Sequence, residues 1–438
     1  MGRSSRLSGN PFSGLKLSNF RLRKGEGLFA LTAKRKALFR SDTLVHMSLI
    51  STRFCSLLTF LLLGLVLFSS KKASAQPLDS TICISWQRTL GGQDADSMSR
   101  ALNWPSGELV LAGVSSSDTG ATKQSAPLGG GDYWVTQLDA TGAQQFDLSL
   151  GGSGRDVATA LAYLPAPPGV PGFTSLTLIG GYTNTAGTTP TKTVPNKDTN
   201  NSDVWITAID SLGQQSPLVN FVIASPGEDR LADLRVLPDG NLLLGITTDG
   251  GIGLDKTDSL RGGLDYWLVK VDLTGNIIWQ HTYGGSGDDR MARISPTLTN
   301  ELLIGGTSDS DVDTGGGKFR GTKGADDYWV ILTDTGGNRI WDNSYGGPDN
   351  DMLATVRTGI PGQGFFIGGS TRTDSAGDVN FNNRGGYDYW AFFVSTTGQI
   401  VNQFLVGGSG DDILADLISV NNGALAIGHS RSGVSGEK

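Results

Sequence analysis

The chain has 438 residues, and 38% of them are hydrophobic, which supplies a large core and argues against wholesale disorder. Its 63 glycines follow no G-X-Y period, which excludes collagen, and with two cysteines and three histidines it cannot carry a disulfide framework or a four-cysteine zinc site. The formal net charge of −7 hides a split: residues 1–75 hold 13 Lys/Arg against Glu26 and Asp42, and the remainder balances at −18, which argues against nucleic acid as a partner.

The basic segment reads as an address. Arg53, the apolar run Leu57–Phe68 and Ala73-Ser74-Ala75 follow the order of a secretory signal peptide: positive region, hydrophobic stretch, small-residue cleavage site. The run is shorter than the roughly 20 residues a membrane span needs. The expectation is cleavage after Ala75, no membrane span thereafter, and a secreted or cell-surface protein. Met47 opens a leader of ordinary length, so 1–46 is read as a mis-assigned extension, 47–75 as the leader and 76–438 as the body. Cys83, in Ile82-Cys83-Ile84, reads as a buried inert thiol.

The body repeats one unit. Asp-Tyr-Trp or a near copy recurs at Asp132-Tyr133-Trp134, Asp203-Val204-Trp205, Asp265-Tyr266-Trp267, Asp327-Tyr328-Trp329 and Asp388-Tyr389-Trp390, with the tryptophans 71, 62, 62 and 61 residues apart. A glycine pair followed by acids recurs beside it, as LGGSGRD from Leu150, YGGSGDD from Tyr283 and VGGSGDD from Val406. In chain order, Ile82–Leu90 reads as an orphan fourth strand carrying Trp86, and five full units follow, starting near residues 91, 151, 224, 284 and 346. In the unit at 284–345 the strands fall at Arg290–Leu298, Glu301–Thr307, Tyr328–Thr333 and Arg339–Tyr345, with a tight Asp334–Asn338 turn before the last. A sixth unit begins at Gly407 and supplies two strands.

Four short antiparallel strands per unit of about 60 residues is the pattern of a β-propeller blade. A lone small sheet cannot bury both faces, whereas neighbouring blades cover one another. The predicted fold class is therefore all-β: a β-propeller with five full blades and an incomplete sixth closed by the N-terminal strand. The absent Asp-Tyr-Trp strand of that sixth unit is read as a C-terminal truncation.

On YGGSGDD at Tyr283–Asp289, VGGSGDD at Val406–Asp412, LLIGG at Leu302–Gly306, GxxDYW at Gly324–Trp329 and Gly385–Trp390, and DLTGNIIW at Asp272–Trp279, the chain resembles the secreted β-propeller repeat proteins of Bacteroidota. The resemblance covers nearly all of residues 82–438. It implies export, with a type IX secretion sorting domain usual in such proteins, and it implies no particular ligand. The rhythm is also similar to kelch repeats, although the loop before Tyr-Trp is too long for an ordinary kelch unit.

Loops joining second to third strands (115–131, 182–202, 247–264, 307–326 and 370–387) share one end of the sheets with the acidic glycine corners. Binding concentrates on such loops. The corners gather Asp94, Asp96, Asp156, Glu228, Asp229, Asp288, Asp289, Asp349, Asp351, Asp411 and Asp412. A residue repeated in every unit serves the unit, so these aspartates read as turn caps. Asp132, Asp203, Asp265, Asp327 and Asp388 read as buttresses of the long loops, and Trp134, Trp205, Trp267, Trp329 and Trp390 as filling between blades. Asp309, Asp311 and Asp313 have the alternate oxygen spacing of a calcium loop but lack a bidentate glutamate at the twelfth position, which leaves Ca2+ as the one metal candidate. No nucleophile–base constellation is recognisable. The expected function is a monomeric, non-catalytic binding or adhesion propeller without an obligate cofactor, taking an extracellular glycan or protein on the long-loop face. The alternative is a carbohydrate-active or other hydrolytic propeller using carboxylates of the acidic face.

Overall fold

The arrangement of strands follows the repeat. The computed structural model describes residues 86–167, 173–313, 317–359, 362–420 and 423–433, all within the compact unit Ser74–Lys438. The expected leader, the extension before it and Cys83 lie outside the described residues. Among the described residues no helix is long and apolar enough to cross a membrane.

The described residues form 22 strands in antiparallel sheets, each in simple sequence order. The first sheet holds β1 (Asp96–Asn103), β2 (Leu109–Ser115), β3 (Asp132–Leu138) and β4 (Gln144–Leu150). The second holds β5 (Asp156–Leu164), β6 (Leu176–Thr183), β7 (Asp203–Ile209) and β8 (Gln215–Ile223). The third holds β9 (Asp229–Val236), β10 (Leu242–Thr248), β11 (Asp265–Val271) and β12 (Ile277–Tyr283). The fourth holds β13 (Asp289–Pro296), β14 (Glu301–Ser308), β15 (Asp327–Asp334) and β16 (Arg339–Tyr345). The fifth holds β17 (Asp351–Thr358), β18 (Phe365–Thr371), β19 (Asp388–Val394) and β20 (Ile400–Val406). A sixth sheet has two strands, β21 (Asp412–Val420) and β22 (Gly423–Ser430).

The predicted strands of the 284–345 unit fall on β13 to β16, the last to the residue. One expectation fails in its described part. Trp86–Leu90 forms no strand, and among the described residues the sixth sheet has β21 and β22 alone, with no third strand for this segment to pair with.

Each sheet packs its first strand on its neighbour's, which makes the arrangement propeller-like. Three devices hold these seams. Tyrosine of one third strand stacks on tryptophan of the next sheet's third strand: Tyr133 on Trp205, Tyr266 on Trp329 and Tyr328 on Trp390, with ring centroids 4.8, 4.9 and 5.0 Å apart. The glycine pair within the second strands of the second, fourth and fifth sheets leaves room for both partners. A Cβ at Gly305 would meet Val356 of the next sheet at 2.5 Å, and one at Gly306 would meet the Tyr266 hydroxyl of the previous sheet at 2.3 Å. Finally, each tryptophan indole donates to a fourth-strand side chain, as Trp329 does to Asp342 at 3.0 Å and Trp267 to Gln280 at 3.0 Å.

The first strands are not regular. In every one the pairing slips near its middle, for example between Met291 and Arg293 opposite β14. The residue left over is Ser99, Thr159, Ala232, Ala292, Ala354 or Ala415, and all six line one cavity of about 320 Å³. A bulge turns one side chain out of the ladder. Here it turns six of them, one from each sheet, onto a shared axis.

Candidate functional site

Two places in the fold gather chemistry. The first is the end that carries the glycine corners and the long loops. In each corner the aspartate that opens the first strand accepts the amide of the second corner residue: Gly92 to Asp96 at 2.7 Å, Gly152 to Asp156 at 2.9 Å, Gly285 to Asp289 at 2.7 Å and Gly408 to Asp412 at 2.7 Å. The aspartate of Asp-Tyr-Trp does the same for the end of the long loop. Asp132 accepts from Leu128 at 2.6 Å, Asp203 from Lys197 at 2.6 Å, Asp265 from Arg261 at 2.7 Å, Asp327 from Lys323 at 2.5 Å and Asp388 from Arg384 at 2.7 Å. All five of these aspartates are fully buried, and so are the five tryptophans two residues on.

The two sets of aspartates meet across the seams. Each of Asp132, Asp156, Asp203, Asp265, Asp289, Asp327, Asp351 and Asp388 keeps one buried carboxylate oxygen without a hydrogen bond. Burial raises their pKa, that of Asp265 and Asp327 to about 7 and that of Asp203 and Asp351 to about 6, and the facing carboxylate adds to the rise for Asp265 and Asp327. The corner aspartates one residue earlier are different. Asp288 is partly exposed and pairs with Arg290 at 2.5 Å.

Inside the long loops lies a set of residues that sequence reasoning missed. Lys123, Lys192, Lys256 and Lys318 are fully buried, and Val379 takes the place in the fifth loop. The Lys192 ammonium donates to the carbonyl oxygens of Thr185 at 3.0 Å and Val194 at 2.7 Å; that of Lys318 donates to Ser310 at 2.8 Å. Burial lowers the pKa of all four, that of Lys192 to about 8, with the seam aspartates opposing the shift. The Lys192 ammonium thus ties two parts of its loop together from within. The signal was present in the sequence as a column: Lys123, Lys256, Lys318 and Val379 all stand nine residues before the Asp of Asp-Tyr-Trp.

The proposed calcium residues are not assembled. Asp309 accepts the amide of Asp288 at 2.5 Å, and Asp313 pairs with Arg261 at 3.0 Å. Among the described residues no group of three or more His, Cys, Asp or Glu side chains is placed to hold a metal ion. The outer surface of these loops instead presents apolar side chains: Leu128, Ile252, Leu254, Val312, Phe319 and Phe381 are all exposed.

The second place is the axial cavity. The residue after each bulge is Arg100, Ala160, Asp233, Arg293, Thr355 or Asp416, so arginines stand in the first and fourth sheets and aspartates in the third and sixth. Two residues further on, β9 and β17 add Arg235 and Arg357. Arg235 pairs with Asp233 at 2.7 Å and Arg357 with Asp416 at 2.5 Å. Among the described residues Arg100 makes no ion pair; its guanidinium donates to the carbonyl oxygens of Ser99 at 2.9 Å and Ala232 at 3.2 Å. Arg293 comes no closer than 3.9 Å to a carboxylate, that of Asp416. Burial lowers the pKa of Arg100, and pushes that of Arg293 down to about 10. Among the axial charges, four guanidiniums face two carboxylates.

No family model matches this chain, and no curated protein matches it. Among solved structures it is similar to hydrazine synthase of Kuenenia stuttgartiensis, at 11% identity and a TM-score of 0.38, covering 75% of this chain and 76% of that one. It is also similar to the α-L-arabinofuranosidase Arb93A of Fusarium graminearum in complex with an iminosugar inhibitor, at 10% identity and 0.43, covering 77% and 89%. A mutant of the Synechocystis apocarotenoid oxygenase follows at 13% and 0.36, covering 72% and 61%. At such identities and scores a likeness assigns neither activity nor ligand.

Proposed function

We propose that this chain is a secreted, non-catalytic binding propeller that grips an extracellular glycan or protein with its long-loop end. The observation that carries the proposal is the construction of those loops: apolar side chains exposed on the outside, over lysines and aspartates buried and hydrogen-bonded on the inside. Exposed apolar groups on a preorganised surface bind without the ordering entropy that a floppy loop would lose. The carboxylates with raised pKa are buried inside the seams as turn caps, which supports binding over hydrolysis.

The same proposal completes the ring as six blades, with the segment around Trp86 lying in the place of the sixth blade's fourth strand without pairing as one. Its support is a recurring contact. The turn glycine of each sheet lies against a fourth-strand aromatic of the preceding one, Gly213 against Phe146 and Gly275 against Phe221, and Gly142 of the first sheet lies against Trp86 in the same manner. Export through a leader at 47–75 belongs to the proposal as well, and N-terminal sequencing of the exported protein tests it at Ala75.

The test of binding is an array of extracellular glycans and matrix proteins probed with the body, residues 76–438, and with Ile252→Ser/Phe319→Ser. Retention that the double substitution removes, with no product released on mass spectrometry, is the expected result. Release of shortened glycan would overturn the non-catalytic reading, and retention unaltered by the substitutions would overturn the loop end as the site.

A further inference from the structure

The axial cavity holds more positive charge than its surroundings balance. Asp233 and Asp416 are taken up by Arg235 and Arg357, which leaves Arg100 and Arg293 as surplus cations on first strands of the first and fourth sheets. Arg293 is 9% exposed, and the Nε–H of both arginines is buried without an acceptor. Arg293 has only Asp416, at 3.9 Å, and Arg100 only two backbone carbonyl oxygens; a charge so weakly paired in a partly buried place is costly, and an orphaned buried donor adds to the penalty. Nothing in the repeat demands it: the same position is Ala160 in the second sheet and Thr355 in the fifth. The neighbouring bulge residues are small, Ala232, Ala292, Ala354 and Ala415, and leave the cavity of about 320 Å³ open before the two guanidiniums.

We infer that the axial cavity is a binding site for an oxyanion, a carboxylate or phosphate group of a small ligand, held by Arg100 and Arg293. A guanidinium offers two parallel N–H donors that match two oxygens of such a group. Both arginines line the cavity, and the bound anion offsets their surplus charge. The Asp233–Arg235 and Asp416–Arg357 pairs fix the walls. This site is separate from the long-loop end, and its failure would leave the binding proposed there untouched.

Calorimetry on the body at low ionic strength would use sodium glucuronate and inorganic phosphate as the two anion probes, and galactose as the neutral control. The expected result is one-to-one binding of at least one anion and none of galactose; the probe that binds identifies the oxyanion class. Arg100→Gln/Arg293→Gln should weaken binding by more than about 50-fold, and Arg100→Lys, which keeps charge but not the fork, by about tenfold. Arg320→Gln, on an exposed loop, should leave it unchanged. On the unaltered protein the bound anion should also protect Arg100 and Arg293, but not Arg320, from phenylglyoxal, read by peptide mass spectrometry. Absence of heat with both anions at about 10 mM, affinity unaltered in the double variant, or equal labelling of the three arginines with and without anion would overturn the proposal.

Discussion

The seam between the fourth and fifth sheets and the edge between the sixth sheet and β1 are made from the same repeat and end differently. At the first, Tyr328 stacks on Trp390, Gly305 admits Val356, and β17 is buried at half of its positions and half-buried at the rest. At the second, β1 alternates between half-buried and exposed along its whole length, and Leu425 and Ile427 of β22 are 45% and 43% exposed. Among the described residues no tyrosine ring stacks on Trp134, and Tyr389 has no tryptophan to meet. Its hydroxyl bonds instead to the His429 carbonyl of the second strand, at 3.2 Å, where Tyr328 reaches the carbonyl of Trp390. The second strand of the sixth sheet also carries Ile427 where the preceding four sheets have glycine. A seam therefore depends on the third strand, whose Tyr–Trp pair joins the first sheet to the second, the third to the fourth and the fourth to the fifth, while Val204 stands in the tyrosine's place between the second and third.

The largest expected effect separates the two kinds of place by deletion of one indole. Trp329→Ala removes a fully buried ring and its hydrogen bond to Asp342, and should lower stability by about 3–5 kcal/mol in urea titrations. Trp86→Ala, at a ring 39% exposed, should lower it by no more than about 1 kcal/mol. Equal losses would mean that Trp86 closes a seam as tightly as the repeat tryptophans do. Next comes a reciprocal exchange. Gly305→Ile drives a branched side chain into Val356 and Leu353 and should cost about 1–3 kcal/mol, whereas Ile427→Gly should change stability by under about 1 kcal/mol. A harmless Gly305→Ile would show that the glycine column is not there to let sheets approach.

The third effect is a dependence on pH. Asp265 and Asp327, raised to about 7, favour their neutral form when folded, so the stability they contribute is complete below about pH 4 and is lost as pH rises through about 7. Asp327 is faced by Asp351 across the seam and by Lys318 and Lys323 from its own loop. At the open edge the corresponding first-strand aspartate, Asp96, behaves oppositely: burial raises its pKa, but Ser115, Ser117 and the Gly92 amide lower it further. The stability from urea titrations should therefore fall between pH 5 and pH 8, and Asp327→Asn should raise it by about 1 kcal/mol at pH 8 while leaving pH 5 nearly unchanged. Asp96→Asn should not raise it. An unchanged slope in Asp327→Asn would remove the seam carboxylates as its cause.

Most of this contrast was legible in the sequence, because strand limits follow from turn residues and from period-two patterning. Asp334–Asn338 fixes the start of β16, and the Asp-Tyr-Trp markers fix each third strand. The buried lysines were not legible as such, since a lysine among Thr, Asp and Gly reads as solvated until its column is aligned; its burial depends on carbonyl oxygens of the loop that only the folded backbone brings round. The axial charges were hidden for a different reason. A bulge breaks the alternation in mid-strand, so Arg100 and Arg293 fall out of the phase that pattern reading assigns them. Ala, Ser or Thr three residues after every first-strand aspartate was the trace it left.

The smallest effect tests whether the tyrosine hydroxyl or the tyrosine ring makes the seam. Tyr328→Phe keeps the stack on Trp390 and removes only the hydroxyl, which is buried and donates to a buried carbonyl oxygen. The expected loss is about 1 kcal/mol, from one unsatisfied acceptor. Tyr389→Phe removes the same group beside β22, where His429 is exposed and water replaces the hydroxyl as donor, so the loss should be a few tenths of a kcal/mol, about the limit of measurement. Tyr266 supplies the control on the closed side: its hydroxyl is buried without a partner, so Tyr266→Phe should be neutral or slightly stabilising. Were all three substitutions to lose the same stability, the hydroxyl would matter through the space it fills next to the glycine pair, and the distinction between closed seam and open edge would have to rest on the rings alone.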